Sequence, residues 1–309
     1  MWDSLFVAVT LAGVWYGWRS GKRLPWLLAG LSLGVGQYFY VSIRVLPLLL
    51  LIWGAGLWWR LAEAWRAQES DVLLSGYTAV LAILPLSIYY AGNWAEFQAP
   101  LVRVTILGER LANMASAEQL SQPIIVMRQM GQTALGFTYL PLRLLYDPGV
   151  PLLLPLAGAL FLTGLAWLLL RFNSRAALLL LPLLSVILLG GFSKDPPASQ
   201  RFILALPSVD VFVALPIGLL GGWLGRMWPD RKILAWGGTA VLLSWLLFID
   251  ITFYFGTLYD TYILGGLNTV VATEIAQDLQ QEPEKPAVFF LGVPRMGYYS
   301  LSTIPYVVP

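Results

Sequence analysis

The amino-acid sequence reads as an all-α polytopic membrane protein of about eight transmembrane helices, with the start of a small outer α/β domain at its C-terminal end. Three observations carry that reading. Of the 309 residues, 58% are hydrophobic and only 12% are charged, and the mean hydropathy is +0.71, which leaves too little polar surface for a soluble domain of ordinary composition. The apolar residues gather in repeated runs of about 18 to 22, the length a helix needs to cross a hydrocarbon layer of roughly 30 Å. The runs are leucine-rich and lack the period-two alternation of a membrane β-strand.

In chain order the runs are Ser4 to Trp18, Leu24 to Ser42, Val45 to Trp59, Val72 to Ala91, Val150 to Leu170, Ala176 to Phe192, Phe202 to Leu224 and Ile233 to Phe255. The first and third are short for a span. No basic region precedes the first, so it does not read as a cleaved secretory signal. The transmembrane region is therefore placed at 1–255, and 256–309 is read as a truncated extracytoplasmic segment. There Leu267 to Gln281 has helical spacing with Glu274 and Asp278 on an exposed face, EPEKP reads as a turn and AVFFLGV as a buried strand.

The segment 92–149 is too long for a plain connector. Polar and apolar residues mix at helical spacing in PLVRVTILGERLANM and PIIVMRQMGQTALGF, which fits amphipathic helices lying on the membrane surface and equally fits helices packed on the ends of the spans. The glycine pairs Gly30/Gly34 and Gly218/Gly222 have the spacing of close helix packing.

Basic residues resist translocation, so their loops set the orientation. Arg19, Lys22, Arg23, Arg60, Arg66, Arg171, Arg175, Arg226, Arg231 and Lys232 fall in one set of loops, against Arg44, Lys194 and Arg201 in the opposite short loops. The first set marks the cytoplasmic side, so both termini and the 92–149 segment are expected outside.

The chain has no Cys and no His. That excludes thiolate nucleophiles, disulfides, Ser/His/Asp triads and the common zinc sites. Carboxylates remain as bases near neutral pH, and Arg or Lys as strong electrophilic stabilisers. A net charge of +2 with dispersed bases does not point to nucleic acid. No metal and no certain cofactor is implied.

Several residues have a functional reading beside a bland one. Arg44 is either a snorkelling boundary arginine or a fixed guanidinium able to grip a phosphate through paired hydrogen bonds. Tyr38 and Tyr40 beside it are either partners in that site or part of an interfacial aromatic belt. In SKDPPASQRFILALP, Lys194 and Arg201 fall on the same side as Arg44, stiffened by Pro196-Pro197; Lys194 and Asp195 are also ordinary solvated loop charges. Glu96 and Arg103 are seven apart and share a face of a continuous helix, although Pro100 intervenes. Pairing with each other is the simpler role; orienting a sugar hydroxyl is the other for Glu96, and phosphate binding for Arg103. Asp210 is expected about two turns into the seventh run, where a carboxylate must find protein, water or a cation.

In order along the chain, LLAGLSLGVGQYFYVSIRVLPLLLLIW, NWAEFQAPLVRVTIL, PPASQRFILALP and VFFLGVPRMGYYS resemble the bacterial polytopic glycosyltransferases of family 39. These are GT-C-type enzymes related to protein O-mannosyltransferases and lipid A aminoarabinose transferases. The resemblance implies a multi-pass enzyme of the bacterial inner (plasma) membrane that moves a sugar from a polyprenyl phosphate to an extracytoplasmic hydroxyl or phosphate acceptor, with inversion. Its partners would be the lipid-linked sugar, membrane lipids and that acceptor. Arg44 and Arg201 match basic positions of the pattern and are expected to share the leaving phosphate. The family's acidic residues follow its first span, whereas this chain starts several spans later. The resemblance therefore implies a piece lacking the N-terminal spans, catalytically incomplete, with its catalytic base unknown. A transporter, or a scaffold that kept the fold and lost the site, is the alternative.

Overall fold

A computed structural model describes residues 2–39, 41–143, 148–228, 232–261 and 267–281 of the protein. It is overwhelmingly helical, and the described residues contain two isolated bridges but no strand. The chain divides into two compact units, Met1–Leu243 and Ser244–Pro309.

The first unit begins with α1 (Asp3–Ser20), which stops at Gly21 in the left-handed region (φ 63°), where the Gly21 N–H closes on the Gly17 carbonyl at 2.9 Å. Next come α2 (Arg23–Gly36), a 3₁₀ turn (Val41–Val45) that runs straight into α3 (Leu46–Arg60), and the 31-residue α4 (Ala62–Gly92). Three shorter helices, α5 (Trp94–Val104), α6 (Glu109–Glu118) and α7 (Gln122–Leu135), occupy the long inter-span segment. They are followed by α8 (Pro155–Leu170), α9 (Ser174–Gly191), a second 3₁₀ turn (Ser199–Leu204), α10 (Leu206–Met227) and α11 (Lys232–Thr252).

Each of the eight apolar runs forms a helix. Five stretches are long and apolar enough to cross a membrane: Val41–Arg60, Trp65–Gly92, Ser174–Gly191, Leu206–Met227 and Trp236–Thr257. Helices α1, α2 and α8 fall outside that set; the 14 residues of α2 span only about 21 Å at 1.5 Å per residue. None of the most apolar window of α4 is buried in the protein, and its Leu73, Tyr77, Val80 and Ile88 are exposed. Such a face suits contact with lipid.

Because lipid is as apolar as leucine, close backbone approach rather than burial of oily surface holds spanning helices together. Helix α2 packs on both α1 and α4. A Cβ added at Gly30 would collide with the Ser75 carbonyl and Thr78 Oγ1, and one at Gly34 would lie 2.6 Å from Ala82 Cβ, so this pair does mediate packing. The second pair does not. A Cβ at Gly218 or Gly222 meets nothing within 4 Å among the described residues, while Gly221, one register over, faces Thr239 Oγ1 at 2.7 Å. Gly164 of α8 likewise abuts the Phe212 backbone of α10.

The core of this unit joins Val7, Leu11 and Val14 of α1 with Leu46, Leu49 and Trp53 of α3, and with Leu180, Leu183 and Val186 of α9. Phe137, Phe161, Phe202 and Phe212 interlock at ring spacings of 5.6, 4.7 and 5.7 Å, each pair contributing about 0.5–1.5 kcal/mol beyond its burial. Of the two readings of the 92–149 segment, α7 takes packing: Gly190 and Gly191 of α9 meet its Thr133 and Met130. In the orientation its neighbours dictate, the buried Gln129 amide donates to the Gly191 and Ser193 carbonyls at 2.9 and 3.2 Å. Helix α5 differs, with no buried residue.

The second unit begins inside α11, continues through a π-helical turn (Phe253–Thr257) and α12 (Leu258–Thr261), and contains α13 (Leu267–Gln281). The helix read at Leu267 to Gln281 has those bounds, with Ala272 and Ala276 buried and Glu274 and Asp278 exposed. The expected strand AVFFLGV lies outside the described residues.

Candidate functional site

The site begins where α2 ends sooner than its apolar run. The run continues to Ser42, but the helix stops at Gly36, and the buried Gln37 amide donates to the Leu33 and Ile43 carbonyls at 3.1 and 3.4 Å. This lone amide satisfies a helix-end carbonyl and fixes the start of the next turn. Ile43, 1% exposed, anchors that 3₁₀ turn in the core, and the next residue is Arg44.

Arg44 is a braced residue and not a snorkelling one. Its Nη1 donates to the Phe97 carbonyl at 3.0 Å and its Nη2 to the Tyr90 hydroxyl at 2.9 Å. Its guanidinium carbon lies 5.1 Å from the Tyr90 ring centre and 4.7 Å from that of Phe97. A guanidinium has five N–H donors, so three remain without a partner among the described residues. Arg44 thus ties α3 to α4 and α5 while keeping capacity for an anion.

The facing wall is the loop from Phe192 to the second 3₁₀ turn, clamped on both sides. Toward α5, Ile106 N–H donates to the Phe192 carbonyl and Lys194 N–H to the Val104 carbonyl, each at 2.9 Å. On the other side, Arg143 N–H donates to the Pro197 carbonyl at 2.8 Å and Ser199 N–H to the Arg143 carbonyl at 3.1 Å. Phe202 and Leu204 fix the turn in the core. Between them Arg201 donates to Ser193 Oγ and, at 2.6 Å, to the Lys194 carbonyl.

Arg44 and Arg201 line one cavity of about 510 Å³, whose other walls include Leu101, Val104, Val186, Leu189 and Phe192. Ser42 also lines it, and its hydroxyl is shielded from solvent without a hydrogen-bond partner among the described residues. A second cavity of about 490 Å³ also borders Arg44, with Gln37, Ile83, Leu86 and Ser87 in its walls. Arg44, Trp94 and Phe97 border both and so form the partition.

The remaining candidates fall elsewhere. Tyr38 donates to the Ala82 carbonyl at 3.0 Å and thereby ties the end of α2 to α4; Tyr40 lies outside the described residues. Glu96 does not pair with Arg103. It accepts a 2.5 Å hydrogen bond from the Tyr89 hydroxyl, while Arg103 is exposed on α5 and borders neither cavity. The backbone of α5 is continuous through Pro100, but the tyrosine rows at the end of α4 reach Glu96 first. Lys194 contributes its backbone, as donor to Val104 and acceptor from Arg201, and its side chain borders neither cavity. Asp210 sits one turn into α10, not two turns into a span, because the 3₁₀ turn takes up the start of that run. It is exposed and borders neither cavity.

Gln37, Ser42, Tyr90 and Phe97 complete the site without having been singled out in the sequence. Gln37 carried the one usable signal, an amide inside an apolar run. Among the described residues no group of three or more carboxylates is placed to hold a metal ion. Chemically, the arrangement suits an amphipathic anion: an apolar chamber, two guanidiniums fixed by protein carbonyls, and an unpartnered hydroxyl. No family model, curated protein or solved structure matches the chain.

Proposed function

We propose that the protein is a membrane glycosyltransferase of the GT-C type, acting at the Arg44 side of a bundle of about eight spans, with a polyprenyl-phosphate-linked sugar as donor. The observation that supports this is the shared cavity: two arginines far apart in sequence border one apolar chamber. Its volume is in the range of small-molecule sites, and a phosphate on a hydrocarbon chain matches both halves of it. In the transfer the acceptor oxygen attacks the anomeric carbon, the sugar–phosphate bond breaks, and its electron pair leaves on the polyprenyl phosphate, where cationic donors offset the developing charge. Within this chain carboxylates are the side chains suited to take the acceptor proton near neutral pH, since it has no His or Cys. Glu96, which accepts from Tyr89 and is exposed without bordering either cavity, is the first to test.

The experiment is photocrosslinking with a polyprenyl phosphate that carries a diazirine in its first isoprene units. Adducts concentrated on Leu101, Leu189 and Phe192 support the reading. Adducts spread over the lipid-exposed residues of α4 and α10 contradict it.

A further inference from the structure

At the opposite ends of α3 and α9 from Arg44 lies a cavity of about 480 Å³. We propose that it is a binding site for an anionic phospholipid, with an acyl chain along the groove and the headgroup phosphate at Arg60.

The walls are Ile52, Trp53 and Leu57 of α3 and Ala177, Leu181 and Leu184 of α9, and among the described residues Arg60 is the only ionisable one in the lining. Arg60 is exposed, and no hydrogen bond or ion pair engages it among the described residues. Glu63, the nearest acid in sequence, is not part of the lining. The floor is built open: Gly56 lies in the groove, and a Cβ there would meet nothing within 4 Å. The wall is fixed, because Trp53 Nε1 already donates to the Ser174 carbonyl at 2.9 Å. The Asn173 side-chain oxygen accepts from the Arg175 and Ala176 N–H groups, so the start of α9 is already capped and the anion's partner is the free guanidinium.

Charge complementarity selects the occupant. The groove offers hydrocarbon walls and a single cation at the rim, the two chemistries of an acidic phospholipid. The flanking Arg171 and Arg175 lie over Trp167 and Trp15, at 4.3 and 4.6 Å from the ring centres. Aromatic rings with adjoining arginines are characteristic of headgroup depth, which places the rim of the groove where a phosphate would be.

The test uses the full chain in detergent and follows thermal unfolding with phosphatidylglycerol, phosphatidylcholine of the same acyl chains, or inorganic phosphate. Two variants accompany it, Arg60→Gln and Gly56→Leu, the second filling the groove at a position where the added side chain meets open space. Phosphatidylglycerol is expected to raise the midpoint by about 3 °C more than phosphatidylcholine, with no effect of inorganic phosphate. Both variants should lose the difference. Equal shifts from the two lipids overturn the proposal, as does a preference that survives Arg60→Gln. A shift reproduced by inorganic phosphate alone identifies a free-anion site instead. No lipid-dependent shift, the result for a groove that receives a protein segment, overturns it as well.

Discussion

Arg44 and Phe97 are joined twice: the guanidinium carbon stands 4.7 Å from the centre of the phenyl ring, and Nη1 donates to the Phe97 carbonyl at 3.0 Å. This side chain helps hold α5, which has no buried residue of its own, against the helical bundle, beside the Lys194–Val104 and Tyr89–Glu96 hydrogen bonds. Charged hydrogen bonds contribute about 1.5–3 kcal/mol and cation–π contacts about 0.5–2 kcal/mol, so the latch adds measurably to what positions α5.

Arg44→Ala is accordingly expected to lower stability by about 2–3 kcal/mol and to raise amide exchange throughout Trp94–Val104. Arg44→Lys should restore only part of the loss, because an ammonium keeps the charge but not the planar fork. Tyr90→Phe should cost about 1 kcal/mol and combine non-additively with Arg44→Ala. Unchanged exchange in α5 for Arg44→Ala would show that the latch is not needed.

Much of the fold was legible because hydropathy and periodicity report long helices directly. All eight apolar runs are helices, and the bounds of α13 agree with its periodicity. The ends of elements were less legible. Where α2 stops is marked by the Gln37 amide bonding six residues on to the Ile43 carbonyl; the amide stands out in its apolar run, but the partner it takes does not. The same limit affected the site. The basic residues were visible as charges among apolar runs, but Glu96 meeting Tyr89 in preference to Arg103 follows from how α4 and α5 join at Asn93. Gly218 and Gly222 had the right spacing but the wrong face, and only the direction of Thr239 selects Gly221.

The two glycine sites make opposite predictions. Gly30→Leu forces a side chain into the Ser75 carbonyl and should cost about 3 kcal/mol or more. Gly218→Ala meets nothing and should be neutral or stabilise by about 0.4–1 kcal/mol. Thermal or denaturant unfolding of both variants in the same detergent is the check.

Arg128 clamps both oxygens of Glu118, at 2.5 and 2.8 Å, across the joint between α6 and α7. That hydrogen-bonded guanidinium holds the Glu118 carboxyl below its ordinary value. Since the folded-state value is the lower one, the pair's stabilisation is present above the ordinary glutamate range and is lost as pH falls through the lowered value. The protection of amides in Glu109–Leu135, corrected for the intrinsic exchange rate at each pH, should therefore fall on acidification below about pH 4. Arg128→Gln should show the faster exchange already at neutral pH and flatten the dependence. A wild-type profile unaltered by that substitution would assign the acid response to other groups.

The proposed topology predicts that residues near the two ends of the spans label from opposite sides. The chain has no cysteine, and Lys22 and Ser116 are both exposed, so Lys22→Cys and Ser116→Cys are clean reporters. An impermeant thiol reagent applied to intact cells should modify Ser116→Cys and spare Lys22→Cys until the membrane is permeabilised. Equal labelling would contradict the orientation.

In the proposed function the chamber lined by Arg44 and Arg201 holds a phosphate on an isoprenoid chain. The most direct measurement compares the affinities of the purified protein for a polyprenyl phosphate and the corresponding polyprenol, which differ only in the charged group. At least a tenfold preference for the phosphate is expected, about 1.4 kcal/mol, reduced to near parity by Arg201→Gln. Equal affinity for phosphate and alcohol, or a preference untouched by Arg201→Gln, would contradict it.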